Sequence, residues 1–363
     1  MTQTTGLHLA RFAPRPPTAR AVTPAGIWSA VYAVVALWWA AGGAGYPLGL
    51  ANDPDAALSI LGRLSQAQGA AILAAIGVAG TVAAAAMMRP ELPRPLAAAL
   101  ATFGWAAAIG LTVVLPDYRP LVIAAYAPVF LVGLPFGWPP GVSLLDAITW
   151  PVIHQAVLIA GGLLWAAATV DFRRRTRNAC PACGRDLTGA GRGRSFGLAA
   201  WGRPAVAVAV ALPLLYAASR WAWLFGIPLG ISAEELQVAR ADGMLIAGAG
   251  LGSVAIAGAL LTTGLVMRWG EVFPGWLPLI RGRPVPIRLA TVPALLVAVI
   301  LIAGGLTFIR LVVSGGIGEI GIDALGAMLP VLLMPAWGAA LAIAALAYRD
   351  RRRGPCPDCG GRD

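Results

Sequence analysis

The sequence predicts an all-α integral membrane protein with eight transmembrane helices, arranged as two parallel four-helix repeats. Three observations carry that reading. The first is composition: of 363 residues, 58% are hydrophobic and 12% are charged, with a mean hydropathy of +0.76. Soluble domains carry about 25% charged residues, so this chain cannot clothe a water-facing surface and lipid must take that place. The second is the placement of arginine, which supplies all 27 basic residues. The third is an internal duplication in which each half ends in a CPxCG motif.

A helix crossing about 30 Å of hydrocarbon needs roughly 20 apolar residues. A polar lead bearing Arg and Pro, 1–23, precedes the first such stretch at 24–43. That stretch is too long for the apolar region of an ordinary signal peptide, so it is expected to be retained as a helix. Further stretches follow at 69–88, 96–115 and 147–170, completing a first repeat over 24–170. An Arg-rich linker, 171–203, carries the first CPxCG. The second repeat, 204–348, holds stretches at 204–225, 243–266, 287–309 and 327–348, and the tail 349–363 carries the second CPxCG. One further apolar segment, 121–137, is short and broken by Pro128, Gly133 and Pro135.

Arginine decides how that segment is read. With eight crossings and a cytoplasmic N-terminus, only Arg63, Arg119, Arg220, Arg240 and Arg310 fall on the outer side. Counting 121–137 as a ninth crossing would turn the Arg173–Arg174–Arg175 cluster outward, against the positive-inside bias. The segment is therefore expected to be an outer re-entrant or interfacial piece, which protein must bury or a wet cavity must border. Both termini are expected in the cytoplasm of a cell membrane. The net charge of +11 is then a topology signal. Arginine beside a membrane meets anionic lipid headgroups, and no nucleic-acid partner is needed to explain it.

The duplication shows in order-preserving matches. Gly45-Tyr46-Pro47-Leu48-Gly49-Leu50 recurs as Gly226-Ile227-Pro228-Leu229-Gly230-Ile231, and Met88-Arg89 as Met267-Arg268. Asp146-Ala147 recurs as Asp323-Ala324, and Cys180-Pro181-Ala182-Cys183-Gly184 as Cys356-Pro357-Asp358-Cys359-Gly360. The offset drifts only from 181 to 176. Each unit has an even number of crossings and returns the chain to one side, so the units are expected to be parallel, related by an axis along the membrane normal.

All four cysteines, Cys180, Cys183, Cys356 and Cys359, sit in these motifs. On the cytoplasmic side thiols stay reduced. A C-x2-C turn followed by Gly can aim two thiolates and its backbone N–H groups at one ion, and two such turns complete a tetrahedral four-thiolate shell. The local pattern resembles the knuckles of zinc ribbons over about ten residues per motif and names no family for the chain. The expected cofactor is one structural zinc shared by the two repeats, closed within one chain or between protomers. A redox CxxC pair would want a strand–helix setting that the sequence lacks.

Four other polar residues stand out. Asp146 and Asp323 open the last span of each unit, either as helix N-caps or as a symmetric carboxylate pair. His154 enters a span about two turns from its outer end, where it can bond a neighbouring helix. Arg220 lies beside Trp221 and Trp223, placed to snorkel to headgroups or to pair with Glu234. Asn52-Asp53-Pro54 and Ser232-Ala233-Glu234-Glu235 read as caps of short outer helices. No Walker, Rossmann, HExxH or GxSxG pattern stands in a supporting context, and nothing places a nucleophile beside Asp146 and Asp323. The expected role is a non-enzymatic scaffold or regulatory protein whose zinc-stabilised cytoplasmic face contacts a protein partner. The alternative is a permease for an apolar or lipid-like solute.

Overall fold

The computed structural model describes residues 21–137, 144–185, 198–315 and 325–354, with Cys356, Asp358 and Cys359. Its regular structure is helical: α1 (Val22–Ala40), α2 (Gln66–Met87), α3 (Arg94–Ile109), α4 (Arg119–Gly133), α5 (Trp150–Thr176) and α6 (Leu198–Leu224). There follow α7 (Ala233–Ala241), α8 (Met244–Thr263), α9 (Ile287–Val313), α10 (Leu325–Leu332) and α11 (Met334–Arg352). Among the described residues nine helices are long and apolar enough to cross a membrane, with α10 and α11 counted as one element over Gly326–Arg352.

Local chemistry sets many of the boundaries. Proline occupies the first turn of α3, α4, α5 and α11, where its missing N–H costs nothing and its fixed φ suits the helix. Ser65 and Gln68 form a reciprocal capping box at the start of α2, and Ser232 and Glu235 do the same for α7. Past the ends of α1 and α6, Gly45 and Gly226 take φ values of +87° and +84°, a left-handed conformation that glycine adopts without steric cost. The two copies of the Gly-x-Pro-Leu-Gly motif thus turn the chain alike.

The helices pack into two groups with separate cores. In one, α1 pairs with α2 and α5, and α3 with α5; in the other, α6 pairs with α8 and α11, and α9 with α11. Trp165, Phe172, Leu73 and Met87 centre the first core, and Tyr348, Leu301, Ala344 and Ala345 the second. Close helix approach is paid in glycine. A Cβ on Gly162 of α5 would stand 2.8 Å from the Ala108 carbonyl oxygen on α3, and one on Gly338 of α11 would stand 2.6 Å from the Ala298 oxygen on α9. Phe172 and Tyr348 hold matching places as well: Arg175 lies 5.8 Å from the Phe172 ring centre and Arg351 lies 5.7 Å from that of Tyr348. Arg175 donates to the Met87 carbonyl at the end of α2, and Arg351 to the Leu265 carbonyl just past α8.

The connections fix two ends of the bundle. The cysteines follow α5 and α11 at one end. At the far end, the Trp150 indole donates to the Gly45 carbonyl, and Arg310 of α9 reaches the carbonyls of Leu58 and Val114 in the other group. Segment 121–137 falls mostly within α4, whose residue contacts report its direction. Tyr118, just before it, stacks on Phe308 with ring centres 4.9 Å apart. Leu121 fills the space beside Gly304, and Val129 that beside Gly250. Gly304 lies in the second half of α9 and Gly250 in the first half of α8. Over about 12 Å of its length, α4 thus touches first α9 and then α8.

Candidate metal centre

The knuckle after α5 is built by the way that helix stops. Asn178, the residue past its C-cap, is the single non-glycine described residue with positive φ, at 50°, a conformation that Asn tolerates and that ends helices. The Ala179 N–H returns to the Arg174 carbonyl at 2.9 Å, and the chain turns into Cys180. The Gly184 N–H donates to the Cys180 carbonyl at 2.8 Å, and the Cys180 N–H to the Arg185 carbonyl at 2.7 Å. Gly184, at φ +79°, lets the turn close so that the Arg185 N–H points at the Cys183 Sγ, 3.5 Å away. The Arg174 guanidinium donates to the Pro181 carbonyl at 2.7 Å and braces the turn against α5.

Four thiols from the two halves converge here. Cys180 and Cys356 sulfurs are 3.9 Å apart, those of Cys183 and Cys359 are 3.6 Å apart, and all four lie within 4.8 Å of one another. Sulfurs bound about 2.3 Å from a tetrahedral ion stand about 3.8 Å apart, so the cluster fits a thiolate-bound metal. All four are free cysteines, Cys180 and Cys356 buried and the other two partly so. Burial pushes the Cys183 thiol up to about 12, whereas the backbone N–H groups of Cys359 and Asp358 draw Cys356 down to about 7. Crowded thiols cannot all ionise unaided, and a divalent cation is what would hold four thiolates together.

Of the remaining sequence candidates, Asp146, His154 and Arg220 lie toward the far end. Asp146 belongs to a short 3₁₀ turn, Leu144–Ala147, against which α4 packs. The helix that was expected to begin at 147 begins at Trp150, set by Pro151, and its N-cap residue is Thr149. Asp146 is therefore not the cap of that helix. Asp323 lies outside the described residues, so the carboxylate pair has one described member. His154 is 1% exposed and its Nε2 stands 2.7 Å from the Tyr32 hydroxyl on α1, with the ring edge-on to Trp39. Arg220 makes no ion pair with Glu234. It stacks instead on Trp223 and Tyr216, 4.1 and 4.5 Å from their ring centres.

Sequence reasoning assigned Asp53 to helix capping and left Arg119 aside. The two meet in a buried network. Arg119 bonds both oxygens of Asp117 at 2.6–3.1 Å, and reaches Asp53 at 2.9 Å. Gln155 of α5 donates to Asp117 at 2.8 Å and accepts its backbone N–H. The network pins the start of α4 to the first helix group. The available signal was local: Asp117-Tyr118-Arg119 between two prolines is a compact loop whose charges have little room to reach water. Compared with models of protein families, with curated proteins and with solved structures, this chain matches none.

Proposed function

We propose that this is a multi-pass membrane protein whose two four-helix units are clasped on the cytoplasmic side by one structural zinc. The zinc-stabilised, Arg-rich face acts as a non-enzymatic scaffold or regulatory surface for a cytoplasmic protein partner. The observation that carries the reading is that two knuckles, 176 residues apart, present four sulfurs at tetrahedral spacing. Such a shell, once filled, leaves no coordination position for substrate, which favours a structural task. The zinc would be held by Cys180, Cys183, Cys356 and Cys359, supplying a cross-link between the halves.

Several features support the topology. The Gly162 and Gly338 contacts, the Arg175 and Arg351 contacts and the paired helix groupings favour two related units. The contact of α4 with both α9 and α8 favours eight crossings with α4 on the outer face, as does the positive-inside pattern. Arg173, Arg174 and Arg177 precede the first knuckle in the chain and Arg349 and Arg353 the second, and these residues would give the partner-facing surface its charge. Crosslinking in native membranes followed by purification tests the reading. The wild-type chain is expected to retain a specific protein that a Cys180→Ser/Cys356→Ser variant, still inserted in membrane, loses. Recovery of the same protein at equal yield by both would contradict it.

A second reading, a permease for an apolar or lipid-like solute, is favoured by one observation. The two groups keep separate cores, and the Pro-bearing α4 lies over their outer ends, where a path along the seam would be gated.

A further inference from the structure

Arg220 stands four residues before the end of α6, about 6 Å from the helix terminus. Its guanidinium lies over the rings of Trp223 and Tyr216, 4.1 and 4.5 Å from their centres, contacts that orient the group without using its N–H edges. Its stem rests on α8, where Gly248 and Gly252 provide the room. A Cβ on Gly248 would lie 3.5 Å from Arg220 Cδ, and one on Gly252 would lie 3.3 Å from Arg220 Cβ and 3.4 Å from Trp221 Cδ1. From the third side comes α4, whose Tyr126 is close enough to interact electrostatically with Tyr216 and Arg220.

Arg220 differs in its hydrogen bonding from the two arginines that anchor the far end, Arg119 and Arg310. Arg119 is saturated by Asp53 and Asp117, and Arg310 by the carbonyls of Leu58 and Val114 and the Thr307 hydroxyl. Arg220 has no carboxylate partner among the described residues, and its Nη1 is buried with no acceptor. The indole N–H of the adjacent Trp221 is buried and unmatched in the same way. Glu235, the acid that might have turned toward it, is committed to capping Ser232. Two donors, one of them charged, thus meet the same face of α8 at headgroup depth, and an unmatched buried donor is costly. A partly buried cation near a membrane interface, with one nitrogen sealed off and unmatched, calls for an anion.

We propose that Arg220 and Trp221 bind the anionic headgroup of an outer-leaflet amphiphile, a phosphate or carboxylate, while its tail stays in the bilayer. The site is formed by α4, α6 and α8 and stands apart from the cysteine cluster, so it holds or fails independently of the zinc clasp. The guanidinium offers charge-assisted hydrogen bonds, and the indole N–H adds a neutral one.

The test uses the full-length protein in neutral detergent, with short-chain phosphatidylglycerol, phosphatidylcholine and inorganic phosphate as probes, and bound ligand counted by native mass spectrometry. Phosphatidylglycerol is expected to bind saturably at one site, with the other two probes far weaker. Arg220→Gln should lower that affinity about tenfold or more. Trp221→Phe, which keeps the charge and removes one donor, should lower it about fivefold and carries the test if Arg220→Gln does not fold. Arg63→Gln, on the exposed outer surface, should leave it unchanged. Unchanged affinity in Arg220→Gln or, should that variant not fold, in Trp221→Phe would overturn the site, as would equal binding of phosphatidylcholine. Inorganic phosphate binding as tightly as phosphatidylglycerol would overturn the amphiphile and leave a free anion as the ligand.

Discussion

At the scale of single residues, the structure puts its charge into two kinds of place. Around the cysteines, arginines brace backbone carbonyls; at the opposite end, Arg119 is sunk between Asp53 and Asp117, whose side chains are 3% and 1% exposed. Removing one partner of such a buried set leaves the others uncompensated, which typically costs about 3–5 kcal/mol. Arg119→Leu is therefore expected to lower thermal stability in detergent by about that amount, and a variant with an unchanged melting temperature would contradict the role assigned to the pair. Gly162 and Gly338 carry a second expectation. Leu at either position would push against a backbone oxygen that cannot yield, so each variant should be destabilised by several kcal/mol, on the scale of severe overpacking. Little of this was legible in the sequence. Asp53 and Arg119 are 66 positions apart, and each has a sufficient local explanation, as a cap and as an interfacial charge. Only folding brings them together.

At the scale of elements, the apolar stretches were legible because length and hydropathy are local properties. The helices begin and end within about six residues of the predicted spans: Pro151 sets a later start for α5, while α5 runs on to Thr176 and α6 begins early at Leu198. The proposed duplication was harder to read. Its nearly constant offset conceals two differences that offset each other: the link from α8 to α9 is longer than that from α2 to α3, while the first half holds α4. Short matches counted along the chain cannot reveal paired insertions that balance. The standing of α4 was also beyond hydropathy, which gives it the length and composition of a span. Its Leu121 and Val129 meet two different helices, α9 and α8. An alkaline phosphatase reporter fused after Asp117 and another fused after Gly137 test this directly. Both are expected to report the outer side, and opposite sides would show that α4 crosses.

At the scale of the whole molecule, two helix groups with separate cores are joined, among the described residues, by Arg310, by α4 and by the packing of α9 on Gly110–Val114, and at the other end by the cysteines. The cysteine junction was the most legible feature of the site, because a metal's demand for four thiolates at fixed spacing is stronger than any single-residue preference. The sequence could not say whether one chain or two would close the shell. In the structure the sulfurs of Cys180 and Cys356, and of Cys183 and Cys359, come together within a single chain. Zinc bound there would be coupled to the docking of the halves, since a preformed site does not exist before they meet. Elemental analysis of the purified protein tests this account most directly. The account predicts about one zinc per chain, lost on Cys356→Ser. Absence of metal from the wild-type protein, or zinc retained by that variant, would contradict it.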